Sequence, residues 1–489
     1  MQSAFSLLDW LVFGGYFLVL FFSSFLFSRV KITSTREYFV GSNAMPMLAV
    51  AISVLATSQS AATFLGVPEY SYAHDFTFIG FYLSALLAVI FVAYVLIPKF
   101  YALNAVTVYE LLENRYGESA KKQAGVMFLI GRVMASGARL YIGSLAISMI
   151  LFGDIAFTHI ALSITILMFG ALAYTYFGGV KSVILSDIIQ AITYVGAGLA
   201  VFIFLYYSLD NINILEALNA ENKLKFFDTS LDGKFSVIGL LSGWLLLNIA
   251  AFGLDQDMTQ RVLSCKNEKE AAKSLIVSIL MTIPVVLLFL SIGVLLFLFY
   301  QESSVVQNFE GEKITIFMYY ILNEMPEGLR GLVTVGAIAA ALSSTNSVLG
   351  AMASVAIEDL YKPWRLKRCS VDEMHFVKAS RNAVLFFAVV LSLMAIVSYF
   401  WQQYSELPLI SFALGVMAFA YTGLLGVYFS AIFTSRGSAR VVPYSLLGGF
   451  ITVLALQPYT FGISIGFSWQ IVLGTLVSFV IMQLGADNE

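Results

Sequence analysis

Residues 47–70 read MLAVAISVLATSQSAATFLGVPEY and decide the fold of this chain. No charged residue lies between Glu37 and Glu69, so the segment is apolar enough to enter a lipid bilayer. Its centre nevertheless carries six polar side chains, more than a helix facing only lipid would collect: Ser53, Thr57, Ser58, Gln59, Ser60 and Thr63. Non-helical backbone is tolerated at membrane depth only where it is buried in protein or lines a cavity, and such segments offer carbonyl oxygens to ions. We predict a break at residues 56–60; the alternative is that the hydroxyls bond back to their own helix or pack between helices.

The composition limits the class of protein. The 489-residue chain is 59% hydrophobic and only 12% charged, whereas soluble domains average roughly 25% charged residues. We therefore predict an all-α polytopic membrane protein. The net charge of −3 gives no indication of nucleic-acid binding. Cys265, Cys369 and the three histidines lack the spacing of a metal or haem site, and no nucleophile–base set indicates an enzyme.

Segments of roughly 20 apolar residues are long enough to cross a bilayer as helices. About thirteen can be placed along the chain, the last two short: 8–27, 47–70, 76–97, 124–151, 155–177, 183–207, 235–254, 274–300, 331–357, 383–400, 407–433, 441–456 and 469–484. No small-residue cleavage site follows the first, so we expect it to be retained as a helix rather than removed as a signal.

The distribution of Lys and Arg in the loops predicts the orientation. With the N-terminus outside, about twenty basic residues, including Arg29, Lys31 and Arg261, fall in inward loops and five in outward loops. We therefore predict an outside N-terminus and an inside C-terminus. The largest polar insertions, 208–234 and 301–329, would lie outside, in position to cap or gate an entrance. No linker divides the chain, so we expect one transmembrane domain over residues 1–489.

A second polar cluster in an apolar setting lies in residues 331–357, which read GLVTVGAIAAALSSTNSVLGAMASVAI. Ala340, Ser343 and Ser344 stand at i, i+3 and i+4, on one helical face. Two hydroxyls on one turn, opposite the carbonyls of a broken helix, supply several of the oxygens that a hard cation requires. Ser and Ala are also common contact residues between membrane helices, and that alternative stays open.

Two arginines in the fourth predicted span are further candidates. Arg132 and Arg139 lie seven residues apart, roughly on one face, and a charge inside the membrane is by default a functional hypothesis. For Arg132 the alternatives are snorkelling or a salt bridge near the inner surface. Arg139 is deeper and is followed by Tyr141, so it is the better candidate for holding a carboxylate through two parallel hydrogen bonds.

Five motifs together resemble the sodium/solute symporter family, and the resemblance covers nearly the whole chain. They are EYFVGSNAMP (37–46), SVLATSQSAATFLGVP (53–68), GGVKSVILSDIIQ (178–190), GLDQDMTQRVL (253–263) and AAALSSTNS (339–347). The family includes sodium-coupled transporters of galactose, sialic acid, proline and monocarboxylates. The resemblance implies a LeuT-like fold with two inverted five-helix repeats, 47–207 and 235–433, each with a broken first helix. An extra N-terminal helix (8–27) and extra C-terminal helices (441–484) would flank them.

The resemblance also implies ion sites. The main sodium site would have three backbone carbonyls and two hydroxyls as ligands: those of Ala56, Gln59, Ala340, Ser343 and Ser344. Some relatives have a second sodium site built from an Asp early in the sixth span and two Ser in the ninth. These positions hold Asp187, Asn346 and Ser347 here, and the Asn side chain offers an amide oxygen. For Asp187 the alternatives are a helix N-cap or a partner for Lys181.

The solute contacts are less readable. Relatives contact the solute in the middle of the seventh span, where Asn248 lies one turn after Trp244; a polar bridge between helices is the alternative for Asn248. Three hydroxyls are expected to face the same cavity: those of Ser58, Ser60 and Thr63. The sialic acid transporters use an Arg whose position falls near Ala135, about one turn from Arg139. The sugar-contacting Glu and Gln of the galactose transporter have no counterpart in residues 76–97 or 407–433.

We therefore predict a symporter that uses Na⁺ as its coupling ion and imports a small organic solute by alternating access. A carboxylate such as sialic acid or another organic acid is the expected solute. Sugar or amino-acid symport is an alternative, and so, in a different class, is a channel or sensor on a vestigial transporter fold. We expect a multi-pass protein of the plasma membrane, the inner membrane in a bacterium, that acts as a monomer and has no nucleic-acid partner.

Overall fold

The computed structural model describes residues 5–27, 32–209, 213–231, 233–301, 308–309, 312–405, 409–462 and 465–485. Several predicted features lie outside these residues. They are Arg29 and Lys31 of the first inward loop, residues 302–307 and 310–311 of the second outward insertion, and residues 407–408 of the eleventh predicted span.

Helices make up almost all of the described chain, as expected for segments that must satisfy their own backbone polar groups in lipid. They are α1 (Leu7–Phe27), α2 (Thr35–Val40), α3 (Met47–Ser58), α4 (Ala61–Ala73), α5 (Ile79–Phe91), α6 (Ile97–Ala102), α7 (Glu110–Tyr116), α8 (Glu118–Phe152), α9 (Phe157–Tyr207), α10 (Ile214–Ala220), α11 (Val237–Leu241), α12 (Gly243–Ile249), α13 (Gln256–Val262), α14 (Glu268–Phe299), α15 (Ile316–Asn323), α16 (Leu329–Ser354), α17 (Lys362–Leu366), α18 (Glu373–Ser405), α19 (Leu409–Phe433), α20 (Val442–Ala455), α21 (Pro458–Phe461) and α22 (Phe467–Gln483).

Short stretches of other structure join or extend these helices. One 3₁₀ turn and three π-helical stretches occur: Gly41–Asn43, Val92–Leu96, Ala250–Leu254 and Val355–Tyr361. Two strands of two residues each, β1 (Asn308–Phe309) and β2 (Glu312–Lys313), pair antiparallel in the second outward insertion. They are the one departure from an all-helical architecture among the described residues.

The length and hydropathy of the described helices are those of a membrane protein. Seven are long and apolar enough to cross a bilayer, or eight if the bent pair α3–α4 counts as one span. Four shorter apolar stretches add to these: Leu7–Ser23, Ala418–Phe433, Val442–Ala455 and Phe467–Gln483. The exact number of thirteen spans and the orientation of the termini stay predictions.

The predicted break in the second span is confirmed. Helix α3 ends at Ser58, Gln59 is extended (φ −93°, ψ 129°), and α4 begins after Ser60. The axes of α3 and α4 differ by 62°. The polar side chains in this otherwise apolar segment therefore mark a true interruption of the helix.

The fifth and sixth predicted spans meet inside α9 without a loop. Gly179 turns the chain there with φ 56° and ψ −155°, a conformation essentially restricted to glycine. A Cβ on Gly179 would lie 2.4 Å from the carbonyl oxygen of Tyr38. Glycine is thus required at this turn both by the backbone angles and by the close approach of the segment around α2.

The seventh predicted span is interrupted, as the family resemblance implied. Ser242 separates α11 from α12, and after the π-helical stretch Asp255 is extended (φ −86°, ψ 117°) before α13 begins. Arg261, which the distribution of basic residues assigns to an inward loop, lies in the short helix α13 and is only 2% exposed. Its charge is neutralised by acidic side chains inside the protein, which hydropathy alone does not reveal.

Helix α16 lies at the centre of the molecule and is pinned by the N-terminal helix. In its most apolar window 94% of residues are buried, against 33% for α18. At its N-terminus the buried carboxylate of Asp9 in α1 accepts hydrogen bonds from the amides of Gly328 (2.8 Å) and Gly331 (2.6 Å). A carboxylate at a helix N-terminus satisfies orphan amides and complements the helix dipole, so α1 is bound firmly to α16.

Candidate functional site

The break between α3 and α4 leaves two backbone carbonyls outside the regular helical pattern. The amide of Ser60 donates to Oγ1 of Thr63 (3.4 Å) rather than to the carbonyl of Ala56. The amide of Thr63 donates to the carbonyl of Ser60 at 2.9 Å rather than to that of Gln59. The carbonyls of Ala56 and Gln59 therefore lie at the end of a helix with negative dipole character, which suits a cation.

The side chain of Gln59 fixes the geometry of this break. It is 1% exposed, and its amide nitrogen donates to Ser58 Oγ and to the Tyr82 hydroxyl, both at 3.3 Å. Its amide oxygen accepts from the Tyr194 hydroxyl at 3.4 Å. No pattern in the sequence singles out Tyr82 or Tyr194, because tyrosine in an apolar span is usually a packing residue.

Helix α16 presents its hydroxyls close to the same break. A Cβ on Gly143 of α8 would lie 2.9 Å from Cβ of Ala341 and 3.6 Å from Cβ of Ala61. The start of α4, the middle of α16 and α8 thus meet at one point. Ser343 and Ser344 follow Ala341 by two and three residues along α16, and both are buried. The structure therefore brings the two halves of the predicted main site to neighbouring positions.

The two serines differ in what their hydroxyls bind. Ser343 donates to Oδ1 of Asp187 at 2.8 Å. Ser344 donates to carbonyls of its own helix, that of Ala341 at 3.0 Å and that of Ala340 at 3.3 Å. Ser343 therefore donates to a charged group and Ser344 to neutral carbonyls, and in both residues the lone pairs of Oγ stay available to a cation.

Asp187 connects three helices at the centre of the protein. It is fully buried in the interior of α9, and besides the bond from Ser343 it accepts a very short hydrogen bond from Ser53 of α3. Both alternatives for Asp187 are wrong: it is not at a helix start, and Lys181 instead pairs with Glu37 at 3.5 Å. A buried carboxylate that joins α3 to α16 is well placed to respond to ions bound between them.

Asn346 and Ser347 lie one turn further along α16. Ser347 donates to the carbonyl of Ser344 at 2.9 Å. The Asn346 amide is fully buried, and neither its oxygen nor its nitrogen has a hydrogen-bond partner among the described residues. Both residues line a narrow cavity together with Gln260 and Arg261. The Asn346 amide therefore makes no hydrogen bond to Asp187 in this structure.

Five buried charged side chains form a network next to α3: Arg132, Asp187, Asp255, Asp257 and Arg261. Arg132 pairs with Asp255 at 2.8 Å and makes a very short contact with Asp257. Arg261 pairs with Asp257 at 3.0 Å and approaches Asp187 at 3.4 Å. The Tyr421 hydroxyl adds a very short hydrogen bond to Asp255.

This network decides between the alternatives for Arg132. Arg132 is 3% exposed and does not snorkel to a surface; it is part of a salt bridge inside the protein. Sequence reasoning missed Asp255 and Asp257, which follow the apolar part of the seventh span. The i, i+4 spacing of Asp257 and Arg261 could have indicated an ion pair, because two residues at that spacing lie on one face of a helix.

Arg139 lies two helical turns from Arg132, on the side of the break. It is half-buried, and its charge acts on the hydroxyls of both Tyr82 and Tyr421. The Thr63 side chain of α4 lies next to the Tyr82 hydroxyl. The structure therefore groups Arg139 and Tyr82 with Thr63, and through Gln59 with Ser58 and the break.

Asn248 and Trp244 approach this group from α12. Nδ2 of Asn248 donates to the carbonyl of Phe81 at 3.2 Å, and its Oδ1 has no partner among the described residues. Trp244 is fully buried, and its indole nitrogen donates to the carbonyl of Lys234 at 2.8 Å. Its ring packs in an aromatic cluster with Phe81, Phe235 and Phe467, at centroid distances of 5.4, 5.2 and 5.0 Å.

The described residues of the insertion 208–234 contact the C-terminal part of α4 and the segment that follows it. The amide of Phe76 donates to the carbonyl of Lys225 at 3.1 Å. Nζ of Lys223 donates to the carbonyl of Tyr72 at 2.6 Å and lies 4.2 Å from the centroid of Phe297. Burial lowers the pKa of Lys223. That the insertion lies outside and caps or gates an entrance stays a prediction.

Unwound backbone opposite paired hydroxyls at the middle of a bundle of apolar helices is the arrangement with which secondary transporters hold coupling ions. The fold and the site therefore define a membrane transporter. The sequence model of the sodium:solute symporter family matches residues 38–441. The chain belongs to this family, which consists of transporters and not of enzymes, so it is a sodium-coupled symporter with Na⁺ as its coupling ion.

Individual relatives agree with this assignment. The sodium/sialic acid symporter SiaT of Proteus mirabilis is 28% identical over 96% of this chain and 93% of its own. The sodium-coupled monocarboxylate transporter 1 of Mus musculus is 25% identical over 92% of this chain and 72% of its own. A structure described as the substrate-bound outward-open state of a Na⁺-coupled sialic acid symporter is 25% identical. It superposes with a TM-score of 0.85 over 98% of this chain and 97% of that chain.

Proposed function

We propose that this symporter imports an organic acid together with sodium by alternating access between two inverted repeats, residues 47–207 and 235–433. Sodium binds from outside, holds α3 against α16 and completes a solute pocket beside the break. Inward opening separates the two helices and releases both ligands. The observation that carries this proposal is the meeting of the α3–α4 break, α16 and α8 at Gly143, one turn from Arg139.

The main sodium site consists of the carbonyls of Ala56, Gln59 and Ala340 and the hydroxyls of Ser343 and Ser344. Two of these carbonyls lie where the helix stops, and the hydroxyls belong to the helix packed against it. Several oxygen ligands of this kind suit a hard cation. Because the ligands come from both helices, an ion bound there joins α3 and α16.

The solute is a carboxylate held by Arg139. A guanidinium binds a carboxylate through two parallel hydrogen bonds, and Arg139 lies beside Tyr82 and Thr63 of the pocket. Asn248, with a buried amide oxygen that lacks a partner among the described residues, supplies a further polar contact. Sialic acid and monocarboxylates, which the names of the relatives give as their solutes, are both carboxylates.

A second, weaker sodium site at Asp187, Asn346 and Ser347 makes the cycle more effective. Moving one charge through 100 mV gains about 2.3 kcal/mol, and a tenfold sodium gradient adds about 1.4 kcal/mol. For a monoanion carried with one Na⁺ the voltage term cancels, and a second Na⁺ restores it. The geometry of Arg261 supports a further cation at Asp187, because Arg261 approaches Asp187 only at 3.4 Å while it pairs with Asp257 at 3.0 Å.

The test is a thermal-shift screen of the purified protein with and without Na⁺, followed by uptake into proteoliposomes. Sialic acids, short monocarboxylates, sugars and amino acids form the panel. We expect a carboxylate to raise the unfolding temperature only when Na⁺ is present and to produce a solute-dependent current. Stabilisation by a neutral sugar alone would contradict the carboxylate assignment, and sodium current without any solute would indicate a channel. We place the protein in the plasma membrane, the inner membrane of a bacterium, as a functional monomer.

A further inference from the structure

Arg261 is shared unequally between two buried carboxylates. Its Nη1 donates to the carbonyl of Asp257 at 2.6 Å and to Oδ1 of the same residue at 3.0 Å. Its Nε and Nη2 lie further from Oδ2 of Asp187, both at 3.4 Å, and Nε donates to Ser53 Oγ at 2.9 Å. The guanidinium is therefore tethered firmly to its own helix and only loosely to Asp187.

Asp187 has the loosest arginine contact of the three buried aspartates. Arg132 pairs with Asp255 at 2.8 Å and Arg261 with Asp257 at 3.0 Å, whereas Arg261 approaches Asp187 only at 3.4 Å. The other groups bonded to Asp187 are the neutral hydroxyls of Ser53 and Ser343. Burying a weakly paired charge is costly, so Asp187 is the carboxylate of this network that a further monovalent cation would stabilise most.

We propose that Arg261 and the second sodium ion share the carboxylate of Asp187 in turn. Arg261 neutralises Asp187 when the second site is empty, and it withdraws onto Asp257 when Na⁺ binds. This inference rests on the proposed second sodium site at Asp187. Arg261 is thus a positioning residue: it does not bind the ion but competes with it for a ligand.

Such an exchange serves the return of the empty transporter. A symporter must reorient after it has released its ions, and an unpaired buried carboxylate would hinder that step. A tethered arginine supplies the missing charge without itself crossing the membrane. Loss of Arg261 should therefore slow net uptake, which needs the empty protein to return, more than exchange between loaded states, which does not.

Helix α13 is placed to transmit the change. Arg261 and its neighbour Gln260 line the narrow cavity beside Asn346. Gln260 donates to the carbonyl of Phe39 at 2.7 Å, and the amide of Met45 donates to the carbonyl of Ser264 at 3.0 Å. A movement of Arg261 between Asp187 and Asp257 is therefore transmitted to these hydrogen bonds, which join α13 to the segment around α2.

The test uses the full-length protein and sodium alone, so it does not depend on the identity of the solute. Equilibrium binding of radioactive Na⁺ is measured for the wild type, Arg261→Gln, Arg261→Lys and the double variant Arg261→Gln/Asp257→Asn. The double variant removes one positive and one negative side chain, so it leaves the net charge unchanged, and it guards against a folding defect of the single variant. We expect Arg261→Gln and the double variant to bind the weaker sodium at least about fivefold more tightly, a common size of coupling between sites. Arg261→Lys, which keeps the charge, should stay close to the wild type.

Unchanged or weaker binding of the second sodium in both Gln-containing variants would overturn the competition. If the wild type binds two ions and Asp187→Asn removes one, the proposed second site stands whatever the Arg261 variants do. If the wild type binds a single ion that Asp187→Asn leaves unaffected, both the second site and the role of Arg261 are refuted. Ser344→Ala is the control for the main site: it should weaken the tighter ion and leave the Arg261 effect intact.

Discussion

Replacing Ser343 and Ser344 by Ala, one at a time, tests the main sodium site through the difference between them. Both hydroxyls are proposed ligands, but only Ser343 is directed at a charged group in this structure, Asp187 at 2.8 Å. The hydroxyl of Ser344 is engaged with carbonyls of its own helix at 3.0 and 3.3 Å. Ser-to-Ala changes barely alter the volume, so the packing of α16 should survive.

The expected magnitudes follow from these partners. Ser343 also holds the buried Asp187 carboxylate, and a hydrogen bond to a charged group contributes about 1.5–3 kcal/mol, so Ser343→Ala should raise the half-saturating sodium concentration by about 10- to 150-fold. The hydroxyl of Ser344 has neutral partners, the carbonyls of its own helix, and its lone pairs stay available to an ion. Its net contribution should therefore be that of a neutral bond, about 0.5–1.5 kcal/mol, or about 2- to 12-fold. The double variant should lose sodium-driven uptake almost completely.

The assay is sodium-dependent uptake into proteoliposomes, with the unfolding temperature measured in parallel. Thr345→Ala is the matched control, because Thr345 is the next residue on the same buried helix and donates only to the carbonyl of Ala341 at 2.8 Å. It should leave the sodium dependence unchanged. A double variant with wild-type sodium dependence, or a loss of the same size in Thr345→Ala, would refute the site.

Three further predictions concern other parts of the molecule. Arg139→Lys keeps the charge but loses the planar guanidinium that can bind a carboxylate through two hydrogen bonds. The apparent affinity for a carboxylate solute should therefore fall by about tenfold or more, with little change in the affinity for sodium. An equal loss of both affinities would contradict the binding of a carboxylate by Arg139. Asp187→Asn should lower a Hill coefficient for sodium from near two towards one, and a wild-type coefficient of one would remove the case for a second ion. Gly179→Ala should destabilise the protein by about 1–3 kcal/mol or more, because its Cβ would meet the Tyr38 carbonyl oxygen at 2.4 Å. Gly196→Ala in the same helix, where a Cβ meets nothing within 4 Å, should shift the unfolding temperature little; similar shifts for both would refute the argument.

The sequence was informative where polarity conflicts with its surroundings. Hydroxyl and amide groups in residues 53–63 interrupt an apolar run that has no other reason to contain them, and the break at Gln59 was predictable for that reason. The same logic singled out Ser343 and Ser344. Polar residues in an apolar segment can be recognised from the sequence alone, because they lie within a few residues of the structural feature that they indicate.

The charged network was not predictable in the same way. Its members come from α8, from α9, and from α13 together with Asp255 immediately before it. The ion pair between Arg132 and Asp255 joins residues that are 123 positions apart in the chain. A hydropathy profile treats Asp255 and Arg261 as the exit from the membrane, since it counts each charge singly. In the folded protein opposite charges neutralise each other, so these residues stay buried. Pairing in space, not residue type, decides their place.

The attachment of α1 to α16 limits how members of this family can be recombined. Helix α1 lies outside the predicted repeats, yet Asp9 provides the acceptor for two amides at the start of the helix that carries Ser343. A chimaera that joined residues 47–433 of this chain to the first helix of another transporter would lose that acceptor unless the incoming helix had an acidic residue at the same depth. The repeats are therefore not a portable module, and the donor of α16 should also be the donor of α1.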